Sequence, residues 1–549
     1  MLDATELDQN PSDLSDLSDL LTATRALTDR AAAFLDGDLN REQIQLYDLA
    51  FSAAELAAAR EAFEVIPLAT GSDRQMLVQV ANTFAAEAVA NVLQRLLMRL
   101  SSYGLAQSDF PANWAAQVGE HLSPQALEAL GHAMLDRGGD LPTLGLDEEK
   151  AMMRDTFRAF ATDVVMPRAE HVHRNDAIIP DEIINPLKEM GCFGLSVPQR
   201  FGGLKPDNFE DSMGMVVVTE ELSRGSLGAA GSLITRPEIM ARALLEGGTE
   251  AQKQRWLPKL ASGETLCAIS VTEPNTGSDV ASVSLKATCT DGGWLLNGGK
   301  TWCTFAGKAS AILVLARTDP DIKPAHKGLS LFIVEKPSTD GHDFAHTQEG
   351  GGRITGRAIS TLGYRGMHSY EMFYDDYFVP GDALVGETKG EGRGFYYTMR
   401  GFMGGRLQTA ARACGLMQAA FEAALSYGAD RRVFGQAVAN YPLTLAKYAK
   451  MGAYISVCRH FTYAVARLMD QDKGQMEASL VKLFACKAAE WVCREALQIH
   501  GGMGYAEETA VSRYYADARV LSIFEGAEET LAIRVVGKAL KESAAGANV

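Results

Sequence analysis

None of the eight cysteines in this 549-residue chain stands in a C-x-x-C pair, and no H-E-x-x-H or His/Cys cluster is visible. The signatures of a structural zinc site and of a dithiol redox site are therefore missing, and no metal is expected. Cys192, Cys267, Cys289, Cys303, Cys414, Cys458, Cys486 and Cys493 read as small buried apolar residues, the last two on one helical face. No glycine cluster has the G-x-G-x-x-G spacing of a dinucleotide fold. Gly350-Gly351-Gly352, Gly390-x-Gly392-x-Gly394 and Gly501-Gly502-Met503-Gly504 all fail it, and a Walker A sequence is missing too. Positive charge is also scarce: 52 Lys plus Arg against 69 Asp plus Glu leave a formal charge of −17. Such a field repels phosphate backbones and anionic lipid, so neither nucleic acid nor a membrane surface is an expected partner. No window approaches the roughly 18 consecutive apolar residues of a spanning helix. Met1 to Asn10 is acidic, without the basic and apolar regions of a signal peptide. The expectation is a soluble protein of a reducing compartment, the cytoplasm.

What is present is ordinary globular composition, 47% hydrophobic and 22% charged, at a length that allows three or four domains. Ser-Asp-Leu occurs three times over residues 12–20, which suits a fraying helix start. Helical periodicity predicts helices near 16–36, 40–65, 72–103 and 123–137, an all-α domain over residues 1–140. After a linker at Asp140–Leu146, a second helical block runs over 147–264, broken at Phe201-Gly202-Gly203 and at Pro237. The texture changes near Thr265. Short β-branched runs at Cys267–Thr272, Val283–Thr290, Trp294–Asn297, Ile312–Arg317, Leu329–Val334 and Glu371–Phe378 predict a β-domain over 265–385. Turns at Asp291-Gly292-Gly293 and Asn297-Gly298-Gly299 separate them, as in an antiparallel barrel or sandwich. Helical periodicity returns over 390–549.

Several segments carry chemistry. Thr272-Glu273-Pro274-Asn275-Thr276-Gly277-Ser278-Asp279 follows an apolar strand and can aim N–H groups and hydroxyls at an anion or a heteroaromatic edge, or be a plain turn. In Lys300-Thr301-Trp302-Cys303-Thr304, Trp302 and Thr304 are two apart and so share one strand face, as core or as the wall of a cofactor site. Asp430-Arg431-Arg432-Val433-Phe434-Gly435 ends a helix with cations whose planar forks suit a pyrophosphate. Gln498-Ile499-His500-Gly501-Gly502 ends another. In Leu521-Ser522-Ile523-Phe524-Glu525-Gly526, a carboxylate follows two large apolar residues and is a candidate general base.

In this order and spacing, over about residues 147–540, these segments resemble the acyl-CoA dehydrogenase family. Pro198–Gly203, Glu220-Glu221-Leu222-Ser223 and Val379-Pro380 add to the resemblance. It implies a mainly α fold: a helical domain, a central β-barrel or sandwich and a C-terminal four-helix bundle, here with an extra N-terminal all-α domain. It implies FAD as cofactor, lined by Val271, Thr272, Gly277, Ser278, Trp302 and Thr304. Arg431, Phe434, Gln498 and Gly502 match positions that reach the FAD of a neighbouring subunit. Glu525 matches the catalytic base. Ser278, Arg406 and Gly526 match acyl-CoA contacts, and electron-transfer flavoprotein would be the electron acceptor.

Departures refine the expectation. Some members place the base one residue before the helix arginine; here that position is Gly405, leaving Glu525 alone. Met403-Gly404-Gly405 implies altered space near the acyl group. Pro442 replaces a common Gln, and Ile269 an aromatic. With its extra N-terminal block the chain resembles family members that act on a short, branched acyl thioester bearing a second carboxylate. That resemblance implies a receiving group, with Arg236 and Arg365 as candidates, and the added domain implies a homodimer. A short branched-chain or glutaryl-type dehydrogenase is the alternative, although the glutaryl enzymes' acyl-site arginine falls at Gly228. A DNA-associated or non-catalytic flavoprotein of this fold is the alternative of another class. The charge argues against the first, and the presence of the base against the second.

Overall fold

The computed structural model describes residues 12–546, so the reading of Met1–Asn10 lies outside the described residues. Five helices open the chain: α1 Ser12–Phe34, α2 Gln43–Glu64, α3 Gly71–Leu97, α4 Trp114–His121 and α5 Pro124–Asp136. The eight-residue α4 was not predicted, because so short a segment shows little periodicity. The helix predicted to reach residue 103 stops at Leu97, and a 3-10 turn, Leu100–Tyr103, ends on Gly104 at φ 60°. The Ser-Asp-Leu repeat forms the first turns of α1, with Leu17 and Leu20 turned inward. Ser123 caps α5 by accepting from the Ala126 N–H, and Pro124 occupies its first turn.

A second helical block contains α6 Glu148–Phe160, continued through wide turns at Ala161–Val165 into α7 Met166–Arg174. It goes on with α8 Asp181–Glu189, α9 Ser212–Gly225, α10 Thr235–Gly247 and α11 Glu250–Ala261. Pro237 lies in the first turn of α10, where its missing N–H is harmless; it opens this helix rather than breaking one.

Eight strands follow: β1 Cys267–Ser270, β2 Lys286–Thr290, β3 Gly293–Thr304, β4 Ala311–Arg317, β5 Leu329–Glu335, β6 Asp343–Thr347, β7 Arg353–Ala358 and β8 Ser369–Pro380. They form one sheet in the order β1-β4-β2-β3-β8-β7-β6, with β5 also on β4. The sheet is not wholly antiparallel, since β4 runs parallel to β1 and to the start of β2. Asn297-Gly298-Gly299 is not a turn: it lies inside β3, where a register shift against β8 marks a bulge. The unpredicted β6 and β7 alternate in burial but carry few apolar side chains, with Phe344 and Ile354 turned inward.

The C-terminal part comprises α12 Gly394–Asp430, a hairpin of β9 Arg432–Val433 and β10 Gln436–Ala437, α13 Pro442–Met469 and α14 Gln475–His500. Then come α15 Gly502–Tyr505, α16 Ala510–Leu521, α17 Glu528–Thr530, wide turns over Leu531–Gly537 and α18 Lys538–Gly546. The N-terminal helices share one hydrophobic core with this bundle. α3 and α5 lie on α13, α2 on α13 and α14, and α1 on α18. A Cβ on Gly131 of α5 would collide with the Leu445 carbonyl of α13, so this close crossing needs glycine. Lys450 of α13 pairs with Glu87 of α3 at 2.9 Å. Among the described residues, α3 alone is long and apolar enough to cross a membrane, and it is mostly buried in this core. Every cysteine is free, and all but Cys289 are buried.

Candidate active site

Glu525 occupies the turn between α16 and α17 with φ 54°, beside Gly526 at φ 103°. A left-handed non-glycine residue stores about 1–3 kcal/mol and persists only where its surroundings impose it. Lys482 of α14 imposes it here: its buried ammonium donates to the Phe524 carbonyl at 3.0 Å and to the Gly526 carbonyl. Burial lowers the Lys482 pKa. Sequence reasoning missed this residue, because no local spacing links it to the turn it holds.

The Glu525 carboxylate points at α12. Its Oε2 is buried without a hydrogen-bond partner, and a Cβ built on Gly405 would stand 2.6 Å from it. A Cβ on Gly404 would strike the buried Glu238 carboxylate. The room left by the two glycines is occupied by the Glu238 and Glu525 carboxylates. Among the described residues the Glu525 N–H has no acceptor, which leaves it free to donate to a substrate oxygen. Arg406 donates to Ser479 Oγ at 3.1 Å; burial lowers its pKa, and the Glu525 charge opposes that shift.

The Thr272 segment and β3 are joined side by side. The Thr301 N–H donates to the Thr272 carbonyl at 2.9 Å. Buried Lys300 donates to the Val271 carbonyl at 2.8 Å and to Glu273 at 2.9 Å. Burial brings the Lys300 pKa down to about 8, against the pull of Glu273. Nothing would meet a Cβ on Gly277, and Ser278 Oγ accepts from Thr530 of α17 at 3.1 Å, so this loop reaches the element after Glu525. Trp302 is 54% exposed at φ 58°, whereas Thr304 is buried with its Oγ1 2.9 Å from Ser369 Oγ. The two do not share a face by simple alternation, because a register shift between Lys300 and Cys303 intervenes. The open indole beside an unobstructed glycine loop fits one wall of a flat isoalloxazine.

Arg431, Phe434, Gln498 and Gly502 stand elsewhere. Phe434 is 99% exposed at φ 45°. Stacking of Tyr427 on His500, centroids 4.3 Å apart, ties the end of α12 to the end of α14. At about 1.5 Å rise per residue, Arg431 lies about 39 Å along α12 from Gly405. One chain therefore holds two separate groups of cofactor-type residues.

The first turn of α10 meets α12 next to the Glu525 turn, and here the burial of charge is unusual. Arg412 is fully buried. It donates to Thr235 Oγ1, to Thr409 Oγ1 at 3.2 Å and to the Gly231 carbonyl at 3.4 Å, and its cation lies over the Phe524 ring at 5.3 Å. Burial lowers its pKa, with the neighbouring Arg236 acting in the same direction. Arg236 is also buried and donates to the Ser232 carbonyl at 3.2 Å. Among the described residues neither guanidinium has an ion-pair partner. Two buried hydroxyls nearby, Tyr364 Oη and Ser232 Oγ, have no hydrogen-bond partner, and the Tyr364 ring meets Phe524 edge-on at 5.5 Å. Arg365 is engaged differently. It donates to the carbonyls of His173 at 2.9 Å and Thr361 at 3.2 Å, and lies 3.6 Å from Asp176.

Three family descriptions match in sequence: acyl-CoA dehydrogenase N-terminal domain over residues 147–264, middle domain over 268–377 and C-terminal domain over 392–541. The chain belongs to the acyl-CoA dehydrogenase family. It is an enzyme of the FAD-dependent kind acting on acyl-CoA. It is 46% identical over 389 residues to (2S)-methylsuccinyl-CoA dehydrogenase of Cereibacter sphaeroides, covering 70% of this chain and 68% of that one. It is 33% identical to the mitochondrial isovaleryl-CoA dehydrogenase of Arabidopsis thaliana, covering 76% and 98%. The solved butyryl-CoA dehydrogenase of Megasphaera elsdenii superposes with a TM-score of 0.65 at 29% identity, covering 73% of this chain and all of that one. The helices before residue 147 precede all three matched regions.

Proposed function

We propose that this enzyme oxidises (2S)-methylsuccinyl-CoA to mesaconyl-CoA, the step its relative in Cereibacter sphaeroides is named for. The observation that carries the substrate is the buried pair Arg236 and Arg412. Among the described residues neither guanidinium forms an ion pair, and only the more distant Glu525 and Glu238 charges offset that of Arg412; a thioester whose β-carbon bears a carboxylate supplies a direct partner. The orphaned Tyr364 and Ser232 hydroxyls offer it further hydrogen bonds. Glu525 takes the proton from the methyl-bearing α-carbon, and its own N–H polarises the thioester carbonyl. Bound FAD supplies the acceptor for the β-hydride. Val271, Thr272, Gly277, Ser278, Trp302 and Thr304 hold the flavin of their own chain, while Ser278, Arg406 and Gly526 border the thioester. Electron-transfer flavoprotein then takes the electrons in the cytoplasm.

Arg431, Phe434, Gln498 and Gly502, remote from Glu525 and exposed, serve the FAD of a second copy in a homodimer. The N-terminal helices cover the outer face of the bundle. The units of the chain are then residues 1–140, 147–264, 265–385 and 390–549. A glutaryl-type reading is less favoured, because a side chain at Gly228 would collide with the Arg365 carbonyl. Anaerobic flavin bleaching is the test. (2S)-Methylsuccinyl-CoA should bleach rapidly, and succinyl-CoA and butyryl-CoA poorly. Equal rates with butyryl-CoA would return the enzyme to the short-chain class.

A further inference from the structure

Outside the active site, Asp176, His342 and His368 bring one carboxylate and two imidazoles together from three distant segments, with ligand atoms all within 4.8 Å of one another. Asp176 follows α7, His342 precedes β6 and His368 precedes β8. His368 is 2% exposed, while Asp176 at 38% and His342 at 45% open the cluster to solvent. We propose that this triad binds one divalent transition-metal ion of the zinc type, at a site that stabilises the junction between the helical block and the sheet.

The hydrogen bonds dictate the donor atoms. The Gly366 carbonyl lies 3.1 Å from His368 Nδ1 and can only accept, so Nδ1 carries the proton. With Nδ1 committed to that carbonyl, His368 Nε2 faces Asp176 Oδ1 3.1 Å away, so a nitrogen and an oxygen able to ligate one ion are already turned toward each other. An imidazole anchored through its other nitrogen to a carbonyl is the usual arrangement of a metal-ligating histidine. The second carboxylate oxygen, Asp176 Oδ2, stands 4.0 Å from His342 Nε2. Tetrahedral zinc with bonds of about 2.0–2.2 Å needs ligand atoms about 3.4 Å apart, and the two separations bracket that value. His342 Nε2 now donates to the Asp176 carbonyl at 2.9 Å, so metal binding moves its proton to Nδ1 and gives up that hydrogen bond. Arg365 Nε lies 3.6 Å from Asp176 Oδ1, the oxygen that also faces His368, so a bound ion competes with this cation for the carboxylate.

The backbone is also set for this purpose. Asp176 at φ 49° and His368 at φ 42° are both left-handed, and strain of this kind in non-glycine residues gathers at functional positions. The Ile179 N–H donates to the Gly366 carbonyl at 3.2 Å, and the Phe305 N–H to the His368 carbonyl at 2.8 Å. The bound ion would thus hold the residues after α7 against the end of β3 that carries Thr304. Two imidazoles and one carboxylate leave open positions for water and match zinc, cobalt or nickel better than calcium or magnesium.

The test uses the FAD-loaded enzyme, treated with EDTA, desalted and dialysed against zinc chloride, with bound metal counted by mass spectrometry and Tm read in parallel. One zinc per chain at micromolar free metal, with Tm raised by about 2 °C and restored by EDTA, is expected. Exposed His342→Ala and the left-handed-tolerant Asp176→Asn should each weaken binding at least about tenfold and abolish the Tm shift. His171→Ala, outside the triad, should not. Failure to bind one equivalent below about 100 μM free zinc, or binding by H342A equal to that of the parent, overturns the proposal.

Discussion

The crossing of α5 over α13 and the meeting of α10 with α12 are both closely packed, yet they treat polar atoms in opposite ways. At the N-terminal helices charges are matched: Lys450 of the bundle with Glu87 of α3, and, between α3 and α2 themselves, Arg95 with Glu55 at 3.1 Å. Around Glu525, the Arg236 and Arg412 guanidiniums donate to neutral oxygens but form no ion pair among the described residues, and the Tyr364 and Ser232 hydroxyls and the Glu525 Oε2 atom have no hydrogen-bond partner there. Buried polar groups in folded proteins are overwhelmingly satisfied, so three unpartnered atoms around one turn, against Asn82 Oδ1 alone on the described N-terminal helices, are a place for a ligand to complete the bonding. On the proposed function, the first crossing serves stability and the second serves chemistry.

The sharpest way to separate them is Glu525→Gln, which keeps shape and hydrogen bonding but cannot accept the α-proton. Turnover should fall by at least about 10²–10⁴-fold, since Gly405 offers no substitute base. FAD content and Tm should stay near the parent values. Arg412→Met comes next. It should reduce kcat/KM for (2S)-methylsuccinyl-CoA by about 10²-fold, more than for butyryl-CoA. Its Tm should hold or rise, because replacing an uncompensated buried cation by an apolar chain is often neutral or stabilising. A fall in rate equal for both thioesters would take Arg412 out of substrate recognition.

Two glycines turn the comparison into a matched pair. A Cβ at Gly131 meets backbone, which cannot move aside, so Gly131→Ala should cost about 1–3 kcal/mol of stability with kcat unchanged. A Cβ at Gly405 meets only the end of the Glu525 side chain, so Gly405→Ala should leave Tm within about 1 °C while lowering kcat through displacement of the base. If both variants lost stability alone, the distinction between the two crossings would fail.

Local chemistry was legible in the sequence because it is written in short spacings: the Thr272–Asp279 loop, the Arg431–Gly435 segment and the Phe524-Glu525-Gly526 turn. What escaped is what folding assembles from afar. Lys482 grips a turn more than forty residues later. Arg412 meets Thr235 across 177 positions, and His368 meets Asp176 across 192. The Gly298-Gly299 pair imitated a turn because a bulge and a turn both favour glycine. β6 and β7 lacked the apolar runs of central strands because they lie at the sheet's end.

The smallest expected effect concerns the linker that joins the two regions. His460 of α13 is buried, and its Nε2 accepts the Leu144 N–H at 3.3 Å, which only the unprotonated nitrogen can do. Burial, reinforced by the adjacent Arg459, brings the His460 pKa down to about 3 from the ordinary 6.5. The unfolded chain therefore binds a proton that the folded chain refuses, and stability must decline as pH falls from about 6.5 toward 3. The slope from one such group is at most about 1.4 kcal/mol per pH unit. His173, buried and lowered to about 4, adds a similar contribution on the catalytic side. His460→Gln should remove one share of this slope. Its Tm should be lower than the parent's at pH 7.5, where the imidazole's hydrogen bond is intact, and the gap should narrow by pH 5.5. Parallel Tm profiles across that range would show that His460 is not the titrating group.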